Sequence, residues 1–598
     1  MSVLACALSF ALALAARGEG DAPSRAQPWS PRTIELAGSL AVQEGGRVKP
    51  ASTFARFALL RISGGQSLKS VRGESLSPVE WLLDVMLYPE DAAREKVFLV
   101  QDSDAVAAIG LDVRDKKKRD RWSYEELQPG MPRLFTLAHD YDAIPEKERG
   151  SVQSQVVLLA GNVMTFLRLA RELDPVRDGA AAPIDAGVFA CIPPDVPIAR
   201  AEAWATTTEL ATKPQRTPED TAILASLAAL VSSRAEPAAF EAELSALSGR
   251  LAARAHARGE GAKIPLERFY YASHVIGWSL AAFLASFLVA CVLWLRPTSR
   301  SIHAALCALV AAGVLLLVGA IAVRCAIRGR PPVSTLYESV LFVTAVGGIL
   351  ALFLESIHRN RIAVSAASVL GVIGLFIANG YETLDKQDTM PSLVAVLDTN
   401  FWLATHVTAI TIGYSAGLLA ALLASVYLVA KLVGFRRADP SFGRSLARMV
   451  YGVLCFAVIF STVGTILGGI WANESWGRFW GWDPKENGAL LIVISQLAIL
   501  HARMSGWLRE HGICTAAALG GTVIAFSWWG VNLLGVGLHS YGFTSGVHTA
   551  LWAYYWTQWS VVALGGIAWR RAIARREPVA PQAARLRQPN RTESGQAA

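Results

Sequence analysis

From residue 270 onwards the chain carries one apolar segment after another, each of bilayer-spanning length, and this pattern restricts the fold more than any other feature. The segments fall near 273–295, 302–323, 336–355, 362–380, 401–430, 448–471, 488–503, 512–535 and 547–568. A helical span needs ~20 mainly apolar residues, because in lipid every backbone N–H and C=O must be satisfied inside the segment. The expected fold is an all-α polytopic membrane protein of about nine transmembrane helices, with 270–570 as its membrane domain. Charged residues are only 17% of the 598, against about 25% in a soluble protein.

The net charge of +8 could suggest nucleic acid. The arginines, however, sit mainly in short loops between apolar runs, where they act as topology determinants and leave no nucleic-acid surface. With the N-terminal part outside, the inner loops hold Arg296 and Arg300; Arg359 and Arg361; Lys431, Arg436, Arg437, Arg444 and Arg448; Arg503 and Arg509. Residues 571–598 form a basic cytoplasmic tail. The outer loops at 381–400, 472–487 and 536–546 are acidic, mixed or uncharged. Arg324, Arg328 and Arg330 break the rule.

Residues 1–16 end in small side chains before the charged Arg17–Asp21, and read as a secretory signal-like segment or an N-terminal anchor. Residues 17–265 have soluble composition and are expected to form a mostly helical extracytoplasmic domain. Ser77-Pro78-Val79-Glu80 has the form of a capping box with proline at the first helical position, and 236–256 patterns as an amphipathic helix. No chemistry is assigned to this domain; His139 and His256 read as surface histidines. The seven cysteines contain no C-x-x-C pair, which argues against a disulfide framework, a zinc site or a thioredoxin-like centre. Without C-x-x-C-H, the chain is not itself a c-type cytochrome.

The informative segment runs from Trp471 to Asn487 and joins the sixth and seventh apolar runs. Trp471, Trp476, Phe479, Trp480 and Trp482 fall within twelve residues, interleaved with Glu474, Arg478, Asp483, Lys485 and Glu486. Indoles supply large, rigid, flat apolar surfaces. An aromatic belt would spread its tryptophans over many helix ends; packing them into one loop with charges suits a flat apolar ligand with charged edges. Haem is such a ligand, an apolar macrocycle with two propionates and an iron that accepts imidazole. His406 stands about six residues inside the outer end of the fifth run, and His539 in the uncharged loop after the eighth. His501 comes about 14 residues into the seventh run, towards the cytoplasmic side. An ionisable residue inside a span is costly and marks function. The competing role for His406 and His539 is interfacial hydrogen bonding, and for His501 snorkelling inwards; His303 shares the inner depth of His501.

The segment Trp476-Gly-Arg-Phe-Trp480-Gly-Trp482-Asp483-Pro484-Lys485-Glu486 resembles the WWD signature of haem-handling proteins. The order of histidine, tryptophan loop, transmembrane histidine and second outer histidine, together with Arg330–Ser339 and Gly530–Gly542, resembles the CcsA/ResC family of system II cytochrome c biogenesis over roughly 325–545. Asn487 departs from the threonine common in that family. Residues Gly45–Pro50 through Thr53–Ala55 are similar to the extension of some long CcsA-like proteins, and the first 265 residues do not resemble CcsB/ResB.

The resemblance implies haem b as substrate and ligand, with His406 and His539 as axial ligands of an outer haem. It makes Trp471, Trp476, Trp480, Trp482 and Asp483 part of the platform, and His501 a ligand of an inner site. It implies a CcsB/ResB-like membrane partner, an apocytochrome c bearing C-x-x-C-H, and a place in the bacterial inner membrane as a component of a holocytochrome c synthase. Arg478 or Lys485 is a candidate partner for a propionate. Two alternatives stay open. One is a haem chaperone or exporter of the CcmC/CcmF kind without ligase activity. The other is an ion-coupled transporter, which should show intramembrane acids and inverted repeats; the sequence shows neither.

Overall fold

Each predicted apolar segment is helical in the computed structural model, which describes residues 24–177, 187–195, 203–393, 399–435, 440–534, 536–537 and 547–574. Among the described residues, eight helices are long and apolar enough to cross a membrane. They are Ile264–Leu295, Arg300–Arg328, Leu336–His358, Ile362–Leu384, Asn400–Leu432, Ser441–Trp476, Pro484–Met504 and Glu510–Leu533, called here the first to eighth spans. The ninth expected segment, 547–568, is also helical. Val547–Ala574 forms a 28-residue helix but is not one of the eight. His548, Tyr554, Tyr555 and Gln558 dilute its aliphatic content. Residues 1–16, His539 and the tail beyond 574 lie outside the described residues.

The chain divides into two compact units, Met1–Ile349 with Ser368–Thr408, and Leu350–Ala367 with Ala409–Ala598. The first contains the N-terminal part, a helical assembly around one apolar core that includes Trp81, Phe98, Tyr124, Phe166 and Phe240. The Ser77 hydroxyl accepts from the Glu80 N–H while the Glu80 carboxylate accepts from the Ser77 N–H, closing the expected capping box on Pro78–Leu87. Pro237–Ala257 buries Phe240, Leu244, Leu247, Leu251 and Ala255, the stripe its periodicity predicted. His139 and His256 are exposed. Strands are few. β1 (Ala41–Glu44) and β2 (Arg47–Pro50) form an antiparallel hairpin, turned by Gly45 and Gly46 at φ 59° and 80°. That conformation is open to glycine at both positions.

Within the N-terminal part, Asp84 accepts from Trp29 Nε1 at 2.8 Å and meets Arg25 Nε at 3.1 Å. Burial outweighs the lowering effect of Arg25 and of the Trp29 bond, and pushes its carboxyl up to about 6. A carboxyl raised in the folded state contributes stability below the unfolded value of about 4, and that stability is lost as pH rises through about 6. Hydrogen exchange in Pro78–Leu87 of the full-length protein, corrected for intrinsic rates, should therefore rise between pH 4 and 6. Asp84→Asn should flatten that rise, and identical profiles would refute the assignment.

Two of the three arginines that break the charge rule have a local explanation in the same unit. Arg324 is 2% exposed. It donates to Glu338 Oε1 at 3.0 Å, to the Thr389 carbonyl at 2.7 Å and to Tyr270 Oη at 3.3 Å. Arg328 donates to both Glu338 oxygens, at 2.9 and 2.8 Å, and to the Pro391 carbonyl at 2.7 Å. Two of the three charges thus share the one carboxylate of the Arg330–Ser339 motif, Glu338, which offsets one of them. A charge paired inside the fold carries little topological weight.

The second unit packs its helices through glycines. A Cβ on Gly464 of the sixth span would lie 2.7 Å from the backbone N and Cα of Ile410 in the fifth. One on Gly413 would lie 2.5 Å from Ser461 Oγ. Such backbone-to-backbone approach is the usual way helices associate in lipid, where no hydrophobic drive separates helix from tail.

Candidate functional site

The tryptophan segment is mostly helix and only briefly loop. Pro440–Trp476 continues helically through Trp471 and Trp476, and Pro484 opens the next helix, so residues 477–483 alone are irregular. Gly477, at φ 69°, ends the first helix in the left-handed conformation that glycine adopts without steric cost. Phe479 folds back onto Gly469, where a side chain would meet its ring at 2.5–2.8 Å. The Arg478 guanidinium lies 6.0 Å from the Trp476 ring centroid and fills the space a Cβ on Gly481 would need. The two glycines of the motif are therefore steric requirements.

Trp480 and Trp482 stand edge-to-face, with centroids 6.3 Å apart and planes at 86°. Trp482 is 70% exposed and left-handed, at φ 58°. That conformation is strained for a bulky residue and persists only where neighbours hold it, often at functional sites. Here Asn487 Nδ2 donates to the Trp482 carbonyl at 2.9 Å, which gives the departure from threonine a structural role.

Asp483 caps the seventh span, accepting from the Lys485 N–H at 2.9 Å. Glu486 closes the box: its Oε2 accepts from the N–H groups of Gly481 at 2.7 Å and Asp483 at 3.1 Å. A Cβ on Gly537 would overlap Asp483 Oδ2, so the chain passes directly against this cap two residues before His539. Lys485 Nζ donates to the Trp528 carbonyl at 2.9 Å and is engaged there. Trp528 and Trp529 stack at 4.6 Å inside a π-helical turn, Phe526–Gly530. Among the described residues, four buried atoms here have no hydrogen-bond partner: Arg478 Nη1, Glu486 Oε1, Trp529 Nε1 and Asn532 Oδ1. Arg478 Nη1 and Glu486 Oε1 are 3.6 Å apart.

The histidines are placed differently. His406 is half-buried in a second π-helical turn, Leu403–Val407. Such bulges widen a helix by one residue and recur at functional positions. His501 lies 17 residues beyond Pro484, about 25 Å along a straight helix. It is exposed, and its Nδ1 is 2.9 Å from the Leu497 carbonyl. With the proton on Nδ1, that bond leaves Nε2 as the acceptor, the tautomer a ligating histidine needs. His303 is half-buried in the second span. The structure thus gathers Trp480, Trp482 and Asp483 in one turn, with Trp471 and Trp476 on the preceding helix and His501 at the other end of the following one. Sequence reasoning missed Glu486, Trp528, Trp529 and both π-turns. The Asp-x-x-Glu spacing could have revealed Glu486 as a capping partner; no sequence signal marks the π-turns.

The sequence profile described as Cytochrome C assembly protein matches residues 333–539, which contain the turn, His406, His501 and His539. The cytochrome c biogenesis protein CcsA of Synechococcus sp. (strain CC9902) is 33% identical over 261 residues, 39% of this chain and 85% of that protein. CcsA of Parasynechococcus marenigrum (strain WH8102) is 31% identical over 299 residues, 46% and 97% respectively. The chain belongs to the CcsA family of cytochrome c biogenesis proteins. CcsA of Guillardia theta is 36% identical over 242 residues, 36% of this chain and 77% of that one. A solved structure of the cytochrome c haem lyase CcmF covers half of each chain at 17% identity with a TM-score of 0.35, too remote to argue from. This CcsA-family chain is accordingly a multi-pass membrane protein of cytochrome c assembly.

Proposed function

We propose that the chain binds haem b, carries it to the extracytoplasmic face and presents it for covalent attachment to apocytochrome c, as a component of a synthase acting with a CcsB/ResB-like partner in the bacterial inner membrane. The observation that carries this reading is the turn at 477–483. It holds one exposed indole, Trp482, and one half-buried, Trp480, in a strained, glycine-dependent arrangement beside Arg478, which meets Glu486 only at 3.6 Å, and Trp529 Nε1, which has no hydrogen-bond partner among the described residues. Arg478 Nη1 and Trp529 Nε1 fit the carboxylate edge of such a ligand, and Trp480 and Trp482 fit its apolar face. Of the two candidate cations, Arg478 is favoured, because Lys485 is already bound to the Trp528 carbonyl.

His406 and His539 are the proposed axial ligands, and His501 the ligand of an inner site. Haem brings the iron and two vinyl groups. Each thiol of the apocytochrome C-x-x-C-H segment adds across one vinyl bond, forming a C–S bond while its hydrogen goes to the neighbouring carbon. The protein positions the macrocycle, and two imidazoles keep both axial sites filled until the substrate histidine displaces one. No nucleophile from the chain is needed.

The test is an absorption spectrum of the purified full chain with His406→Ala, His539→Ala and His501→Ala variants. The bis-imidazole signature should vanish in the first two and survive in the third, and cytochrome c yield should fall on the order of 10- to 100-fold in the first two. Wild-type protein without haem, or an unchanged signature in His406→Ala and His539→Ala, would overturn the assignment.

A further inference from the structure

The segment before His406 is gripped from two sides within the first unit. From the N-terminal part, Arg47 donates to Asp388 Oδ2 at 2.6 Å, and Lys49 Nζ donates to the same oxygen at 2.9 Å. Arg47 also forms a bidentate pair with Glu267, at 2.8 and 3.0 Å, and Lys49, 3% exposed, pairs with Glu44 at 2.6 Å. Both cations sit on β2, where the tight Gly45-Gly46 turn sets their register. Nearby, Arg56 and Gln66 donate to Glu382 Oε1 at 2.6 and 3.0 Å.

From the membrane side, the end of the second span holds the next residues. Arg324 donates to Thr389 through Oγ1 at 3.1 Å and the carbonyl at 2.7 Å, and Arg328 to the Pro391 carbonyl. Met390 is fully buried against Tyr270, Ala320 and Ile327. The start of the His406 helix is tied to the same place, because Asn400 Nδ2 donates to the Gly329 carbonyl at 3.2 Å. Residues 389–391 and residue 400 are thus pinned to one helix end. Among the described residues, Asp388 alone joins that arrangement to the N-terminal hairpin through two cations at once.

We propose that the β1–β2 hairpin is a brace for the approach to His406, and that Asp388 is a positioning residue acting through that segment. This gives the N-terminal part a role in the assembly reaction. It rests on the reading of His406 as an iron ligand only for its functional consequence; the mechanical link stands on its own. Burial alone would raise the Asp388 carboxyl, but Lys49 and Arg47 hold it at about 2. The brace is therefore charged throughout the physiological range and works as a fixed strut.

The experiment uses the full chain in detergent, with Asp388→Asn, Asp388→Glu, Lys49→Gln and, as an exposed control in the N-terminal part, Arg114→Gln. Hydrogen exchange over 399–411 is read beside the haem spectrum and the cytochrome c yield. Asp388→Asn should raise exchange in that window, alter the axial-ligand signature and cut yield on the order of tenfold or more. Asp388→Glu should restore much of each, Lys49→Gln should fall between, and Arg114→Gln should match wild type. If Asp388→Asn cannot be purified folded, Lys49→Gln decides alone. A folded variant with unchanged exchange over 399–411 overturns the brace. If exchange responds but wild-type protein carries no bis-imidazole haem, the brace is supported and the ligand role of His406 is what fails.

Discussion

Glu486→Ala is expected to reduce cytochrome c maturation on the order of 100-fold while leaving the chain folded. Its carboxylate accepts from the Gly481 and Asp483 N–H groups and faces Arg478. Glu486 is 8% exposed. Removing it leaves two backbone donors and a guanidinium without their acceptor in a place water reaches poorly, at a local cost of about 1–3 kcal/mol. The eight spans do not depend on those bonds, but the left-handed Trp482 and its edge-to-face partner Trp480 do. Glu486→Gln keeps an acceptor oxygen and should retain an intermediate yield. The measurement is covalently attached haem in a co-expressed cytochrome c, beside the thermal melt of the purified chain. Wild-type yield from folded Glu486→Ala protein would show that the turn geometry is irrelevant to the reaction.

The largest effect on stability is expected at Gly464. A Cβ there meets backbone atoms of Ile410 at 2.7 Å, and backbone cannot swing aside as a side-chain tip can. Gly464→Val should therefore force the fifth and sixth spans apart and destabilise the second unit by about 3 kcal/mol or more. Gly452, on the same long helix, has nothing within 4 Å of its missing Cβ. Gly452→Ala should be neutral or stabilising by up to about 1 kcal/mol, since alanine favours helix. Thermal melts of the two variants, followed by size-exclusion in detergent, separate close packing from a general intolerance of substitution. Equal melting points would refute the glycine seam.

Much of the architecture was legible before any coordinates. Apolar runs predicted the eight spans because a membrane helix satisfies its own backbone, so local composition is enough. Composition weakens in the aromatic run at 547–568, which is nevertheless a helix of spanning length. The Ser77 capping box and the 236–256 stripe were legible for the same reason, since residues three and four apart meet on one helix. The turn itself was read too wide: its flanks at 471–476 and 484–487 are helix, and indoles alone do not reveal where a helix stops.

The CcsA likeness, the clustered tryptophans and the order of the histidines belong to the sequence by itself, since each is a matter of which residues occur and how far apart. Tertiary structure alone decided the rest. Arg324 and Arg328, read as stray topological charges, became partners of Glu338. Asp388 met cations 339 and 341 residues away along the chain. Glu486 turned from one charge among several into the acceptor that shapes the turn. The division has a physical cause. Helices are stabilised by neighbours one turn away, whereas ion pairs, orphaned donors and glycine contacts exist only once distant segments have been brought together.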